Sequence, residues 1–182
     1  MSLFSAPEQQ TSAQIGALLK TQRKPAAALT TKPIQVYSDG GARPSNPGPS
    51  GWGIVVVQEG VAVEEANGFI GYATNQIAEL VAAIAGLLST PVGAKVELIS
   101  DSQYVLKGIS EWRKGWERRG WRNAAGDPVA NKAYWQQLFA LVDERQVRVR
   151  WVKGHAGDTF NERADTLASA AITEGIEQMA VA

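Results

Sequence analysis

The stretch 75–89, NQIAELVAAIAGLLS, is apolar on nearly every side. Ile77, Leu80, Val81, Ile84, Leu87 and Leu88 recur at helical spacing, and Ala78, Ala82, Ala83, Ala85 and Gly86 fill most of the remainder. The period predicts an α-helix. A helix without a polar face must be buried, so the rest of the chain has to enclose it. Thr74 or Asn75 can cap its start. Glu79 stands in the first turn, on the side of the small residues. A carboxylate placed there needs a partner or a purpose.

The flanking sequence supplies the enclosing elements. Ile34–Ser38 reads as a short strand ending at a Gly40-Gly41 turn. Residues 42–51 hold three prolines and two glycines and read as a loop. Trp52–Gln58, a Glu59-Gly60 turn and Val61–Ile70 read as a β-hairpin. Lys95–Ser100 is a strand, and a helix begins near Ser102. Residues 131–143 are helical, with Trp135, Leu138, Phe139 and Val142 as the apolar set. Val147–Val152 alternates as a half-exposed strand. Asp158–Ile172 is a last helix with Phe160, Ala164, Leu167, Ala168 and Ala171 inward. The order predicts an α/β fold, a mixed sheet flanked by helices.

Residues 1–32 differ in character. Pro7–Lys20 can form a short helix with Ile15, Leu18 and Leu19 on one side, and Thr21–Pro33 reads as a linker. We expect an N-terminal extension over 1–32, one domain over 33–174 and a tail over 175–182. Zero cysteines rule out disulfides and Cys-ligated zinc and suit a reducing compartment. Apolar runs fall far short of a membrane span, and the N-terminus lacks a signal-peptide layout. The expectation is a cytoplasmic monomer without a membrane partner.

Four acids sit at four separated points: Asp39 in VYSDGG, Glu79 in TNQIAEL, Asp101 in LISDSQY and Asp165 in NERADTLA. Strands 34–38 and 95–100 are each followed by Asp after a terminal Ser. If these strands are parallel neighbours, Asp39 and Asp101 emerge together at their carboxyl ends, where open α/β sheets bind ligands. Taken singly, each acid has a plain reading as a turn, cap, buried or surface residue. Together, and without cysteine, they suit Mg²⁺. Two such ions serve in-line attack on a phosphodiester. His155, the one histidine, lies in a Gly-flanked loop, and an imidazole can exchange protons near neutral pH. Residues 107–122 carry six basic side chains against two acidic ones, with Trp112, Trp116 and Trp121 among them. That segment reads either as a solvated face pinned by tryptophans or as a phosphate-gripping handle.

YSDGG, NPGPSGWG, TNQIAEL, SDSQYVLKGI, WRKGWERRGW, WVKGHAGD and NERADTLA follow in order. On these segments the chain resembles bacterial ribonuclease H of type 1 from about residue 33 to 174. The resemblance implies a ribonuclease H-like fold with a five-stranded mixed sheet. It implies endonucleolytic hydrolysis of the RNA strand of RNA–DNA hybrids, leaving 5′-phosphate and 3′-hydroxyl ends. Two Mg²⁺ per site, or Mn²⁺ as substitute, would be held by Asp39, Glu79, Asp101 and Asp165, with His155 assisting leaving-group protonation or product release. Asn46, Asn75 and Gln103 would read the hybrid backbone and its 2′-hydroxyls. Thr74 would meet a DNA phosphate. Trp112, Arg113, Lys114, Trp116, Arg118 and Arg119 would form the handle on the DNA strand. Two departures stand out: GGARPSN is one residue longer than the common bacterial loop, and Ile77 stands where a basic residue is expected. A non-catalytic binding module and a DNA-cutting relative of the same fold are the competing readings.

Overall fold

The computed structural model describes residues 32–181. The helix expected over 7–20 and nearly all of the linker expected over 21–33 lie outside the described residues. Five strands form one sheet: β1 (Ile34–Ala42), β2 (Gly48–Gln58), β3 (Val61–Ala73), β4 (Lys95–Ser100) and β5 (Gln146–Trp151), in the order β3-β2-β1-β4-β5. β1, β2 and β3 pair antiparallel, whereas β4 lies parallel to both β1 and β5. The mixed sheet expected from the order of elements, and the five strands that the resemblance implies, are therefore present. Five helices accompany it among the described residues: α1 (Asn75–Leu88), α2 (Gln103–Lys107), α3 (Arg113–Arg118), α4 (Lys132–Asp143) and α5 (Thr159–Ala180).

Successive strand residues point to opposite faces, and this sheet has a core on each. On one face Val36, Ile54, Val56, Val96 and Leu98 meet α1 and α4. On the other, Tyr37, Val55, Val57 and Ile99 meet Ala164 of α5. The sheet covers one side of α1 and α4 another, which is why α1 tolerates no polar face. Thr74 caps it through Oγ1, which accepts from the Ile77 N–H.

The structure corrects two boundaries at the sheet's centre. β1 does not stop at Ser38; it continues through Gly40 and Gly41 to Ala42, paired with β2 as far as Ser50. Gly40 serves close approach, not a turn: a Cβ on it would stand 2.3 Å from the Ala78 carbonyl carbon. β2 likewise begins at Gly48, inside the stretch expected to be a loop. A Cβ on Gly53 would lie 2.3 Å from the Ala164 carbonyl oxygen, so α5 crosses β2 nearly backbone to backbone. α5 also runs beyond Ile172, so residues 175–180, expected as a tail, are helical. Gly175 is buried there against the Phe69 ring.

α2 passes through a π-helical turn, Gly108–Trp112, directly into α3. This arm docks on α4 through rings. Trp116 packs on Trp135 at 5.2 Å, Trp121 stacks on Phe139 at 5.9 Å, and Trp112 adjoins Tyr104 at 6.0 Å.

Candidate active site

The register of β1 against β4 places the first pair of acids. Tyr37 is opposite Ile99, so two residues further on Asp39, still within β1, lies beside Asp101, which follows the end of β4. Glu79 arrives from α1 as its fifth residue, just past the first turn expected from the sequence, and the bare Gly40 backbone lets the helix approach there. Asp165 arrives from α5 one residue after Ala164, whose carbonyl abuts Gly53. All four acids, with Arg43 and His155, line one open cleft of about 260 Å³.

The electrostatics are those of crowded carboxylates. Asp39 is pushed up to about 7, chiefly by burial, then by the charges of Asp101 and Asp165, against a 2.8 Å hydrogen bond from the Gly40 N–H. Burial also raises Glu79; Ser102 opposes this and Asp101 adds to it. Ser102 Oγ donates to Glu79 and accepts from the Val105 N–H, so one hydroxyl orients an acid and caps α2. Among the described residues no three His, Asp or Glu side chains form a ready-made cage around one point. An open, oxygen-only, mutually repelling set is what Mg²⁺ accepts, since it keeps waters and takes substrate phosphate oxygens as ligands. The residues present fit the ion.

His155 lies exposed at the rim of the same cleft, in a left-handed conformation with φ 53°. Such a conformation is uncommon for a non-glycine residue. Its loop rests on the acids: a Cβ on Gly154 would fall 2.5 Å from Asp101 Oδ2. Downstream the loop is pinned where Asp158 caps α5, accepting from the N–H groups of Phe160 and Asn161 at 3.2 Å.

Asn46 and Asn75 meet at the head of α1 despite the longer loop. Asn75 Oδ1 accepts from the Ala42 N–H at 2.6 Å, and Asn46 Oδ1 accepts from the Asn75 N–H at 3.0 Å. Both carbonyls are thus used within the protein, which leaves the Nδ2 hydrogens to offer a ligand. Thr74 is half-buried at the cap, and Gln103 is exposed in the first turn of α2.

The handle divides into two kinds of residue. Trp116 is buried and Trp112 half-buried, both within the ring cluster. Arg113, expected to point outward, instead grips Asp143 with two hydrogen bonds of 2.7 and 2.6 Å and Glu117 with one of 2.8 Å. Its guanidinium also lies 4.7 Å from the Phe139 ring centre. Arg119 donates to the Arg122 carbonyl at 3.2 Å. Lys114, Arg118 and Arg119 are exposed along a shallow depression of about 590 Å³. Arg113→Ala should therefore lower stability by about 1 kcal/mol, because it removes the forked hydrogen bonds to Asp143 and the half-buried contact with the Phe139 ring. Lys114→Ala and Arg118→Ala should leave stability alone and each lower the salt slope of hybrid binding by about one. Melting curves and salt-titrated binding separate the two classes; a stability loss confined to Lys114→Ala would overturn the division.

Two contributors escaped the sequence reading. Ser102 was legible only as a helix start, although it stands next to Asp101, and its hydroxyl reaches Glu79. Arg43 lay in a stretch read as loop, where nothing pointed it toward Asp165.

The family model for RNase H matches residues 31–173. The chain belongs to the ribonuclease H family. It is 46% identical over 142 residues to ribonuclease H of Granulibacter bethesdensis, covering 78% of this chain and 93% of that protein. To ribonuclease HI of Pseudomonas putida it is 45% identical over 141 residues, covering 78% and 94%. Among solved structures, the N-terminal RNase H domain of Mycobacterium tuberculosis rv2228c superimposes with TM-score 0.63 at 27% identity, covering 80% of this chain and 97% of that one. LC11-RNase H1, solved in complex with an RNA/DNA hybrid, gives TM-score 0.60 at 26% identity, covering 79% and 99%. Ribonucleases H are metal-dependent hydrolytic nucleases, so the acidic cleft lies in a fold that carries this chemistry.

Proposed function

We propose that this chain is an endoribonuclease that hydrolyses the RNA strand of RNA–DNA hybrids, leaving 5′-phosphate and 3′-hydroxyl ends. The observation that carries the reading is the convergence of Asp39, Glu79, Asp101 and Asp165 on one cleft within a ribonuclease H frame. These four would hold two Mg²⁺, or Mn²⁺ in their place, with Asp39 supplied by the central strand. When bound, the ions supply Lewis acidity to the attacking water and to the departing 3′-oxygen.

The protein's own groups do the rest. Ser102 holds the Glu79 carboxylate in orientation. Asn46 and Asn75 present amide N–H groups beside the cleft, donors that a 2′-hydroxyl can accept and a deoxyribose cannot. Gln103 extends that edge. His155 at the rim is placed to pass a proton to the leaving oxygen or to help the product depart. Lys114, Arg118 and Arg119 hold the DNA strand through its phosphates, a salt-sensitive and sequence-independent grip. The reading further takes the protein as a cytoplasmic monomer, its basic face open to duplex. No helix among the described residues is long and apolar enough to cross a membrane.

The test is cleavage of a labelled hybrid in Mg²⁺ beside single-stranded RNA, duplex RNA and duplex DNA. Cutting of the hybrid alone supports the reading; cutting of duplex DNA, or of nothing by folded protein, defeats it. Mg²⁺ alone should also raise the melting temperature by several degrees, at roughly 2–4 °C per kcal/mol of linked binding. An unmoved melting curve would deny the cleft its role as a metal site.

A further inference from the structure

Among the described residues, Arg43 is the one lysine or arginine lining the carboxylate cleft. Its Nη2 donates to Asp165 Oδ1 at 2.8 Å. The contact uses one of its two terminal nitrogens, and the arginine side chain remains 57% exposed. The backbone beneath is fixed, since the Arg43 N–H donates to the Pro49 carbonyl at 2.9 Å. Asn46, three residues on, fastens the same loop to the head of α1. The anchor is therefore rigid and the long side chain can swing.

Two consequences follow. A guanidinium on Asp165 occupies an oxygen that a divalent ion would also claim. A half-exposed ion pair of this kind is weak, so such an ion can displace it. The displaced guanidinium then sits at the mouth of a cleft to which phosphates must come. A planar fork of donors matches a phosphate well.

We propose that Arg43 is a tethered cation with two stations, competing with divalent metal for Asp165 and, once displaced, gripping a phosphate of the nucleic-acid substrate at the cleft mouth. This rests on the hybrid-nuclease reading for its second station and only on the carboxylate cleft for its first. It makes Arg43 a setter of the metal requirement as well as a substrate contact.

The experiment compares wild type, Arg43→Ala and Arg43→Lys. Mg²⁺ affinity is measured by calorimetry without nucleic acid. Hybrid binding is measured across a salt series in Ca²⁺, a hard cation of looser coordination, with strand integrity checked on gels. For Arg43→Ala the expected result is Mg²⁺ binding tighter by up to about fivefold, together with a salt slope shallower by about one. Arg43→Lys should keep the slope and part of the metal competition. Melting curves confirm that the exposed substitution leaves the fold intact. Unchanged Mg²⁺ affinity, or an unchanged salt slope, overturns the proposal. Failure of wild type to cut hybrid would sink the nuclease reading, yet the calorimetry would still decide the competition for Asp165.

Discussion

Asp39→Asn is expected to lower hybrid cleavage by about a thousandfold or more, ~4 kcal/mol in the barrier, and at the same time to stabilise the protein without metal. The first effect follows from removing the central charge of the acid set. The second follows from the crowding around it. Burial and the charges of Asp101 and Asp165 push Asp39 up to about 7 in the fold, well above the ordinary carboxylate range. Below about pH 4 the group is protonated in both states and folding carries no penalty from it. As pH rises from about 4 to 7 the unfolded chain releases the proton more readily, so stability falls, by at most about 1.4 kcal/mol per unit. Above about 7 the loss is complete. Metal-free melting temperature should therefore drop between pH 5 and 7.5 in wild type, and the asparagine variant should show a flatter profile and melt higher at pH 7.5. Added Mg²⁺ should flatten the wild-type profile as well. Equal melting temperatures for the two proteins at pH 7.5 without metal would show that the acids do not repel as their burial implies.

Trp135→Ala is expected to produce the largest loss of stability, about 3–5 kcal/mol, against the 5–15 kcal/mol typical of whole domains. Trp135 is fully buried. Its ring meets Tyr104 at 5.1 Å, Trp116 at 5.2 Å and Phe139 at 5.5 Å, and its indole N–H donates to the Tyr104 hydroxyl at 3.2 Å. On the other side, a Cβ on Gly108 would come within 2.0 Å of the indole, so helix backbone and ring are in direct contact. Removing the ring leaves a cavity where the handle docks on α4. The melting midpoint should fall by roughly 6–20 °C. Hybrid binding should weaken too, although Trp135 touches no substrate in the proposed arrangement, because Lys114 and Arg118 lose their fixed platform. Trp135→Phe should recover part of both. A loss below about 1 kcal/mol in urea denaturation would mean that the ring cluster does not hold the arm.

Much of this was readable in the chain. Helix α1 declared itself through its period, and its lack of a polar face already demanded layers on either side. The Ser-Asp steps predicted Asp39 and Asp101 side by side if their strands were parallel neighbours, and the parallel register of β1 and β4 puts them there, although β1 runs on past Asp39. The handle's composition announced both tryptophan anchoring and exposed positive charge, because local spacing governs which helix residues share a face.

What the sequence could not distribute were the roles within a pattern. The Gly40-Gly41 pair has the local signature of a turn, yet it lies in mid-strand, where Gly40 admits the α1 backbone, a neighbour nearly 40 residues away. Arg113 and Arg118 look alike in sequence; only the placement of Asp143 on α4 makes one a tie and the other a free charge. Arg43 and Asp165 are separated by 122 positions, and their pairing exists only because α5 crosses β2 at Gly53. Periodicity and side-chain chemistry are local properties, and they determined the elements, the core and the kind of site. Which charges meet depends on long-range packing of backbones at a few ångström, and that only the tertiary structure decides.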